Sequence, residues 1–302
     1  MACDASPGNA GPSLPSPLPG GGQEPAGIGL RLPHLAELEA AGPPAWLEVH
    51  SENLFGLGPA LQARLLALRR DCAFSMHGVG LSLGSADGLA PLHLQRLADA
   101  VRLYEPELVS EHLCWNAWGG VHVPDLLPLP LTRAMLAVVA ANVQRAQDAL
   151  ARPLVIENLS AYLRWADDEM EEGPFLAELA ARTGCRVLVD LNNLHVNQLN
   201  LGEEPDAFLA SLPPAVVAEY HLAGPSEGRG PAAGTWIDTH ATPVPEPVWA
   251  LYDTALQRWG PRPTIVERDQ DLPPLPALLD ECARAAAAMA MARTTAAPES
   301  RP

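Results

Sequence analysis

The sequence alternates short apolar runs of β-prone residues with longer segments of helical periodicity, and this alternation constrains the fold more than any other feature. Strands are predicted at 27–30, 46–50, 73–77, 107–112, 154–158, 186–190, 216–221 and 263–267. Helices are predicted at 59–70, 91–104, 131–150, 174–183, 205–211, 246–259 and 273–292. Eight strands with helices between them, over about 265 residues, are typical of a (β/α)8 barrel. The sequence therefore predicts an α/β protein with a TIM barrel.

A doubly wound open sheet is the alternative fold. It is disfavoured because no G-x-G-x-x-G turn follows the first predicted strand. Residues 1–26 and 294–302 lack hydrophobic periodicity and are predicted to be disordered tails, which leaves a single domain at 27–293. The first stretch has no signal-peptide pattern, and no apolar run reaches the ~18 residues that span a membrane. We therefore expect a soluble, cytoplasmic protein that does not bind a membrane.

Polar residues close seven of the eight predicted strands. These strand-end residues are His50, His77, His112, Glu157, Asp190, His221 and Glu267. The loop after the seventh strand adds Asp238 and His240, which lie two residues apart. In a barrel, the carboxyl ends of all strands meet at one mouth, where active sites lie. A single histidine at a strand end is more often a structural residue, but the whole set predicts a functional cluster.

So many carboxylates in a partly dry site would repel one another unless cations compensated their charge. The set exceeds what one ion can use, so it predicts two or three metal ions. Nitrogen and oxygen ligands without thiolate suit iron, manganese or zinc better than calcium or magnesium, and they leave iron and zinc equally open. The five cysteines form no C-x-x-C pair, which argues against a cysteine-ligated zinc site.

The net charge of −17 and the complete absence of lysine argue against a nucleic acid as partner. The lack of lysine also disfavours a sugar isomerase that polarises a carbonyl with this residue. Two further classes stay open. One is a zinc-dependent hydrolase of the xylose isomerase and endonuclease IV-like barrel group, and the other is a metal-binding protein without catalytic activity.

Motifs at the strand ends carry a resemblance to a known family. They are, in order, WLEVHSENLFG, SMHGVGLSLGSAD, YEPELVSEHLCW, RPLVIENLSAYL, GCRVLVDLNNLHVN, EYHLAG, IDTHATPVPEPVWALY and RPTIVERDQDLP. As an ordered set across residues 27–285, the chain resembles the multinuclear non-heme iron-dependent oxidative enzymes, which modify cysteines of ribosomally synthesised peptides such as methanobactin precursors. The resemblance implies a xylose isomerase-like TIM barrel.

The resemblance also implies a site and a reaction. The implied metal ligands are His77, His112, Glu157, Asp190, His221, Asp238, His240 and Glu267, with His50 and Asn193 as further ligands. Glu157, Asp190 and Asn193 are the implied catalytic residues, and Glu157 is the candidate to bridge two ions because it lies centrally in the series of strand-end residues. Two or three irons of mixed Fe(II) and Fe(III) state and O₂ as co-substrate would abstract hydrogen from the cysteine β-carbon, giving an oxazolone–thioamide, thiooxazole or related product. The implied partners are a cysteine-containing precursor peptide and a separate protein that binds its leader.

The remaining histidines and one cysteine are assigned weaker roles. His195 is left open between a ligand and a hydrogen-bonding residue. His34, His93 and His122 are interpreted as structural, and Cys114 as a small buried residue. No role is assigned to the glutamates within the strands, which are Glu48, Glu111 and Glu219.

Overall fold

A closed barrel of eight parallel strands forms the centre of the protein, as the sequence predicts. The computed structural model describes residues 24–296. The barrel strands are β1 (Ala26–Gly29), β2 (Trp46–His50), β3 (Ala73–Gly78), β4 (Leu108–His112), β7 (Val155–Glu157), β8 (Arg186–Asp190), β9 (Val217–Leu222) and β12 (Thr264–Val266). Each strand pairs with the next in this order, and β12 pairs with β1 to close the barrel.

Helices surround the barrel. They are α1 (Leu35–Ala41), α2 (Pro59–Asp71), α3 (Pro91–Tyr104), α4 (Arg133–Leu150), α5 (Glu172–Thr183), α6 (Leu191–Leu201), α7 (Pro205–Ser211), α8 (Glu246–Trp259) and α9 (Leu275–Ala296). Helices α1 and α6 were not predicted. Helix α6 follows β8 without a loop because the Asp190 side chain caps it, accepting a hydrogen bond from the backbone N–H of Asn193 at 2.7 Å.

Two antiparallel strand pairs were also not predicted, and both follow the carboxyl ends of barrel strands. The first is the hairpin β5–β6 (Cys114–Trp118 and Val121–Pro128), and the second pairs β10 (Ser226–Glu227) with β11 (Trp236–Ile237). The hairpin turns at Gly119 and Gly120, whose φ values of 58° and 77° suit a two-residue turn. Both pairs extend the mouth of the barrel.

The barrel interior is layered, because alternate residues of each strand point inward. An apolar floor comes from Trp46, Ala73, Leu108, Val155, Leu188, Ala218 and Ile265, which form a cluster of their own. A polar layer follows, and its four residues are buried: Glu48, Ser75 and Ser110 lie two residues beyond the floor residues of their strands, and Glu219 lies one residue beyond Ala218. The four strand-end histidines follow this polar layer by two residues, whereas Glu157, Asp190 and Glu267 follow the floor residues of their own strands by two. The interior therefore changes from apolar to ionisable along the barrel axis.

The limits of the folded region differ slightly from the predicted domain of 27–293. Strand β1 begins at Ala26 and α9 ends at Ala296, so both elements extend beyond those limits. The rest of the two predicted tails, residues 1–23 and 297–302, lies outside the described residues. Within residues 24–296, no helix is both long enough and apolar enough to cross a membrane.

Candidate metal centre

His77, His112 and Glu157 form the first group of candidate ligands, at the ends of β3, β4 and β7. The Nε2 atoms of the two histidines lie 3.3 Å apart, and each lies 3.1 Å from Oε2 of Glu157. All three side chains are buried. Three potential ligand atoms therefore converge on one point.

Hydrogen bonds on the far side of each ring orient these two histidines. His112 donates from Nδ1 to the carbonyl oxygen of Gly78 at 2.9 Å. Nδ1 of His77 lies 2.8 Å from the Ser110 hydroxyl, which itself donates to the carbonyl oxygen of Met76 and so accepts from the ring. Both Nε2 atoms face Glu157, and in the neutral rings they would offer a lone pair to a cation there, as metal-bound histidines do.

His221 at the end of β9 centres the second group. Its Nδ1 atom lies 2.9 Å from Oε2 of Glu267 and 3.7 Å from Oε1 of Glu157, while Asp190 is close enough to share the same site. On the other side of the ring, Nε2 lies 3.2 Å from Oε2 of Glu48. Glu157 thus belongs to both groups, which is the geometry expected of a bridging carboxylate.

His240, from the loop after β9, belongs to the third group together with Asp190 and Glu267. Its Nε2 atom lies 2.7 Å from Oδ1 of Asp238, and its Nδ1 atom is hydrogen-bonded to Oδ2 of Asp269 at 3.0 Å. Among the described residues the structure thus places four overlapping groups of potential ligands at the mouth, the fourth being Glu48, His221 and Glu267, and Glu157, Asp190, His221 and Glu267 each belong to two of them.

Buried atoms without a hydrogen-bond partner show whether the cluster is suited to metal ions. Oε2 of Glu157, Oδ2 of Asp190, Nδ1 of His221 and Nε2 of His240 are all buried without a hydrogen-bond partner. Three of these atoms nevertheless lie within about 3 Å of an oppositely charged group, where the angles do not suit a hydrogen bond. Buried polar atoms without partners are costly, and ions at the points where they converge would satisfy them. The residues fit a multinuclear metal centre.

The charges of the cluster are strongly coupled. Burial would raise the pKa of the Glu157 carboxyl, but the adjacent His112 and His77 hold that pKa well below its usual range. Burial would likewise lower the pKa of His77, but Glu157 raises it to about 10. Asp190 differs, because burial and then the neighbouring Asp238 carboxylate raise its pKa well above the usual range. The protons of the histidines and a cation would therefore compete for the same carboxylates.

The other predicted residues lie as follows. His50 is half-buried at the mouth, with its ring 6.1 Å from that of His77 and its Nε2 atom 3.4 Å from a guanidinium nitrogen of Arg31, and it belongs to none of the ligand groups among the described residues. Asn193 is buried in the first turn of α6, and its Nδ2 group donates to the carbonyl oxygen of Asn158. Its Oδ1 atom has no partner.

The residues that were assigned weaker roles lie outside the ligand groups. His34 is bonded to the carbonyl oxygen of Pro273, His93 faces Glu52, and His195 is buried in α6. His122 is exposed on β6, a strand where a loop or helix was expected. Cys114 is fully buried, as interpreted from the sequence, and burial raises the pKa of its thiol well above the usual range.

Sequence reasoning missed the residues that support the ligands. They are Glu48, Ser110, Asn158, Asn192 and Asp269. A signal existed for the first two, because Glu48 and Ser110 each precede a strand-end histidine by two residues and therefore share its inward face.

Comparison with known proteins identifies the family. Residues 25–290 match the family model described as "RiPP precursor modification enzyme MbnB/TglH/ChrH", where RiPP denotes a ribosomally synthesised and post-translationally modified peptide. The chain belongs to this family. The match covers the whole barrel and agrees with the resemblance in the strand-end motifs.

Close relatives of this RiPP precursor modification enzyme occur in other bacteria. A "UPF0276 protein" of Chromobacterium violaceum is 49% identical over 262 residues, which are 86% of this chain and 93% of that protein. A "UPF0276 protein" of Caulobacter vibrioides is 45% identical over 274 residues, which are 90% of this chain and 98% of that protein.

Solved structures similar to the RiPP enzyme have the same fold at low identity. The xylose isomerase domain protein from Planctomyces limnophilus has a TM-score of 0.57 at 14% identity, with 91% of this chain and 99% of that chain covered. Endonuclease IV from Thermus thermophilus has a TM-score of 0.54 at 17% identity, with 89% and 99% covered. These similarities establish a xylose isomerase-like barrel and do not bear on the reaction.

Proposed function

We propose that this RiPP precursor modification enzyme is an O₂-dependent multinuclear iron oxidase that modifies cysteine residues of a ribosomally synthesised precursor peptide. The observation that carries the proposal is the Glu157 carboxylate, whose two oxygens face different histidine groups at the barrel mouth. Adjacent ions that share a ligand suit a reaction in which one ion holds the substrate and another handles the oxidant. The family to which the chain belongs modifies precursor peptides, and the proposed substrate is therefore a peptide.

The residues of the chain would divide the work of holding the ions. One ion would be held by His77, His112 and Glu157. A second ion would be held by Glu157, Asp190, His221 and Glu267. A third ion would be held by Asp190, His240, Glu267 and Asp238. The iron, when bound with O₂, would supply the one-electron chemistry that removes hydrogen from the cysteine β-carbon. The protein fixes the positions of the ions and the charge around them.

The substrate cysteine would supply a thiolate ligand to the metal centre, because none of the candidate ligands among the described residues is a cysteine. The ligand groups among the described residues contain histidines and carboxylates and no cysteine. Cys114, which is near in sequence to His112, is fully buried in β5, and burial and the carboxylates of Glu111 and Glu157 keep its thiol protonated by raising its pKa. A soft coordination position is therefore left for a peptide thiolate, and thiolate binding suits iron.

Asp190 and Asn193 are proposed to act together beside the ions. Asp190 caps α6 through the Asn193 backbone and keeps one carboxylate oxygen without a partner, and the Oδ1 atom of Asn193 is also unpartnered. Both atoms are buried within the first turn of one helix, so they are held rigidly. Asp190 would hold an ion through its free oxygen, and Oδ1 of Asn193 is suited to accept a hydrogen bond from a peptide amide or a water beside that ion.

The rim suits a peptide rather than a small sugar. Large apolar side chains are exposed on the β5–β6 hairpin and on the loop after β7, at Trp118, Val121, Tyr162, Leu163 and Trp165. Exposed apolar groups of this kind are typical of binding surfaces. We propose that the precursor peptide crosses this rim, delivered by a separate protein that binds its leader.

Anaerobic reconstitution with Fe(II), followed by addition of O₂ and precursor peptide, tests the proposal. We expect a mass decrease confined to the cysteine-containing fragment, O₂ consumption that depends on the peptide, and loss of both in His112→Ala and in a peptide with serine at the cysteine position. Turnover with zinc alone, or hydrolysis of a phosphodiester, would instead support the hydrolase class. Full-rate modification without any second protein would contradict the proposed partner.

A further inference from the structure

Glu48 lies below the ligands, in the polar layer of the barrel. It stands two residues before His50 on β2, and it is 1% exposed. Its Oε2 atom accepts a hydrogen bond from the Ser75 hydroxyl at 3.0 Å and lies 3.2 Å from Nε2 of His221. The carboxylate thus links β2, β3 and β9 inside the barrel.

The two nitrogens of His221 have different surroundings. Nε2 is hydrogen-bonded to Glu48, so the ring donates its proton there. Nδ1 has no hydrogen-bond partner and lies 2.9 Å from Oε2 of Glu267. A histidine whose proton is held on one nitrogen presents the lone pair of the other nitrogen to a metal.

We propose that Glu48 is a positioning residue that holds the proton of His221 on Nε2 and thereby directs Nδ1 to the ion shared with Glu157 and Glu267. The inference rests on the metal centre of the proposed function, but it is independent of the identity of the metal, of O₂ and of the peptide. Ser75 contributes by fixing the orientation of the Glu48 carboxylate.

Glu48 could alternatively be a metal ligand, because its carboxylate, His221 and Glu267 can bring ligand atoms within 4.8 Å of one another. The Oε1 atom of Glu48, which is buried without a partner, would then be the ligand. Positioning is favoured because Oε2 already has two hydrogen-bond contacts, and because the unpartnered nitrogen of His221 is the one near Glu267, not the one bonded to Glu48.

Zn(II) titration of purified apoprotein distinguishes these roles without any turnover. In Glu48→Gln the amide oxygen can still accept the Nε2 proton, so the number of bound ions stays unchanged and the affinity of one site falls about tenfold. Glu48→Leu removes the acceptor, and the same affinity falls about 100-fold. Glu172→Gln is the control, since Glu172 is also buried and its carboxylate accepts a hydrogen bond from the Leu159 backbone N–H, so the zinc affinity of this variant should equal that of the wild type.

Nitrogen NMR of the zinc-loaded protein with labelled histidine supplies a second readout. We expect the wild type and Glu48→Gln to show His221 protonated at Nε2, and Glu48→Leu to lose that single form. Loss of one zinc equivalent in Glu48→Gln would overturn the inference and make Glu48 a ligand, and unchanged affinity in Glu48→Leu would leave it a packing residue. If Glu48→Leu fails to fold, the ion count and the His221 proton in Glu48→Gln decide the question. Absence of peptide oxidation would contradict the proposed function and leave these results unaffected.

Discussion

The Oε1 atom of Glu157 lies 3.7 Å from Nδ1 of His221, although these two residues come from strands β7 and β9. The other oxygen of the same carboxylate lies 3.1 Å from the Nε2 atoms of His77 and His112. Strand β8 separates β7 from β9, so only barrel curvature brings the two side chains together. Glu157 therefore connects the two groups of candidate ligands.

Replacement of Glu157 should affect more than one ion. Glu157→Gln removes a charged ligand from two groups, so we expect the metal content after anaerobic reconstitution to fall by more than one ion per chain. His112→Ala removes a ligand from one group and should cost about one ion. Elemental analysis of both variants, with His122→Ala as an exposed control that keeps the wild-type content, checks the expectation. Equal losses in Glu157→Gln and His112→Ala would contradict the bridging role.

Metal binding should release protons and weaken as the pH falls. The Glu157 carboxylate overcomes burial and raises the pKa of His77 to about 10, so His77 of the metal-free protein is protonated at neutral pH. A cation must displace that proton before it can bind Nε2. Calorimetric titration with Zn(II) in two buffers of different ionisation enthalpy measures the protons released. A heat that does not depend on the buffer would disprove the prediction.

The metal-free protein should become less stable as the pH rises above neutrality. A raised folded-state pKa stabilises the protein below the unfolded pKa of histidine, ~6.5, and this contribution is lost as the pH approaches the folded value of about 10. Glu219 acts in the same direction, because burial and then the Glu48 charge raise its pKa to about 8. Thermal melting of the apoprotein at pH 6 and pH 9 should give the lower midpoint at pH 9. The opposite order would mean that other groups dominate.

Removal of the metals should lower the melting temperature. A ligand present at 100 times its dissociation constant stabilises the native state by ~2.7 kcal/mol, which corresponds to ~5 °C for a domain of this size. We expect a shift of at least this size when EDTA is added to the loaded protein near neutral pH. Asp190→Asn, which lacks a ligand shared by two groups, should show a smaller shift. An equal shift in both proteins would place the stabilising ion elsewhere.

The barrel should not tolerate a side chain at Gly27. A Cβ atom there would overlap the backbone carbonyl oxygen of Trp46 on the neighbouring strand, and backbone atoms cannot move aside as a flexible side chain can. We expect Gly27→Ala to lose ~3 kcal/mol or more of unfolding free energy in a urea titration. Gly58→Ala is the control, because the space around Gly58 is open and its φ of −66° is compatible with alanine, so its cost should stay within about 1 kcal/mol.

The barrel and the positions of the candidate ligands at its mouth could be predicted because they depend on local patterns. Apolar runs mark the strands, and the residue that ends each run lies at the mouth whatever the details of packing. The hydrogen bonds that orient these side chains could not be predicted in the same way. The bond between Glu48 and His221 joins positions 173 residues apart, and it exists only because the sheet closes.

Local signals also explain which elements were missed. Helix α6 contains four asparagines, which are weak helix formers, and it forms because Asp190 caps it and the barrel packs against it. The β5–β6 hairpin had a usable signal in the glycine pair between Trp118 and Val121. The β10–β11 pair is two residues long in each strand and carries no comparable pattern.

The apolar floor closes the barrel interior below the candidate metal centre, so the centre is accessible from the mouth of the barrel. An ion, a dissolved gas or a cysteine side chain that arrives among the imidazoles must depart through the same opening. A peptide bound across that opening would block the exchange of metal ions with solvent. Ion exchange would then be fast only after one peptide has dissociated and before another binds.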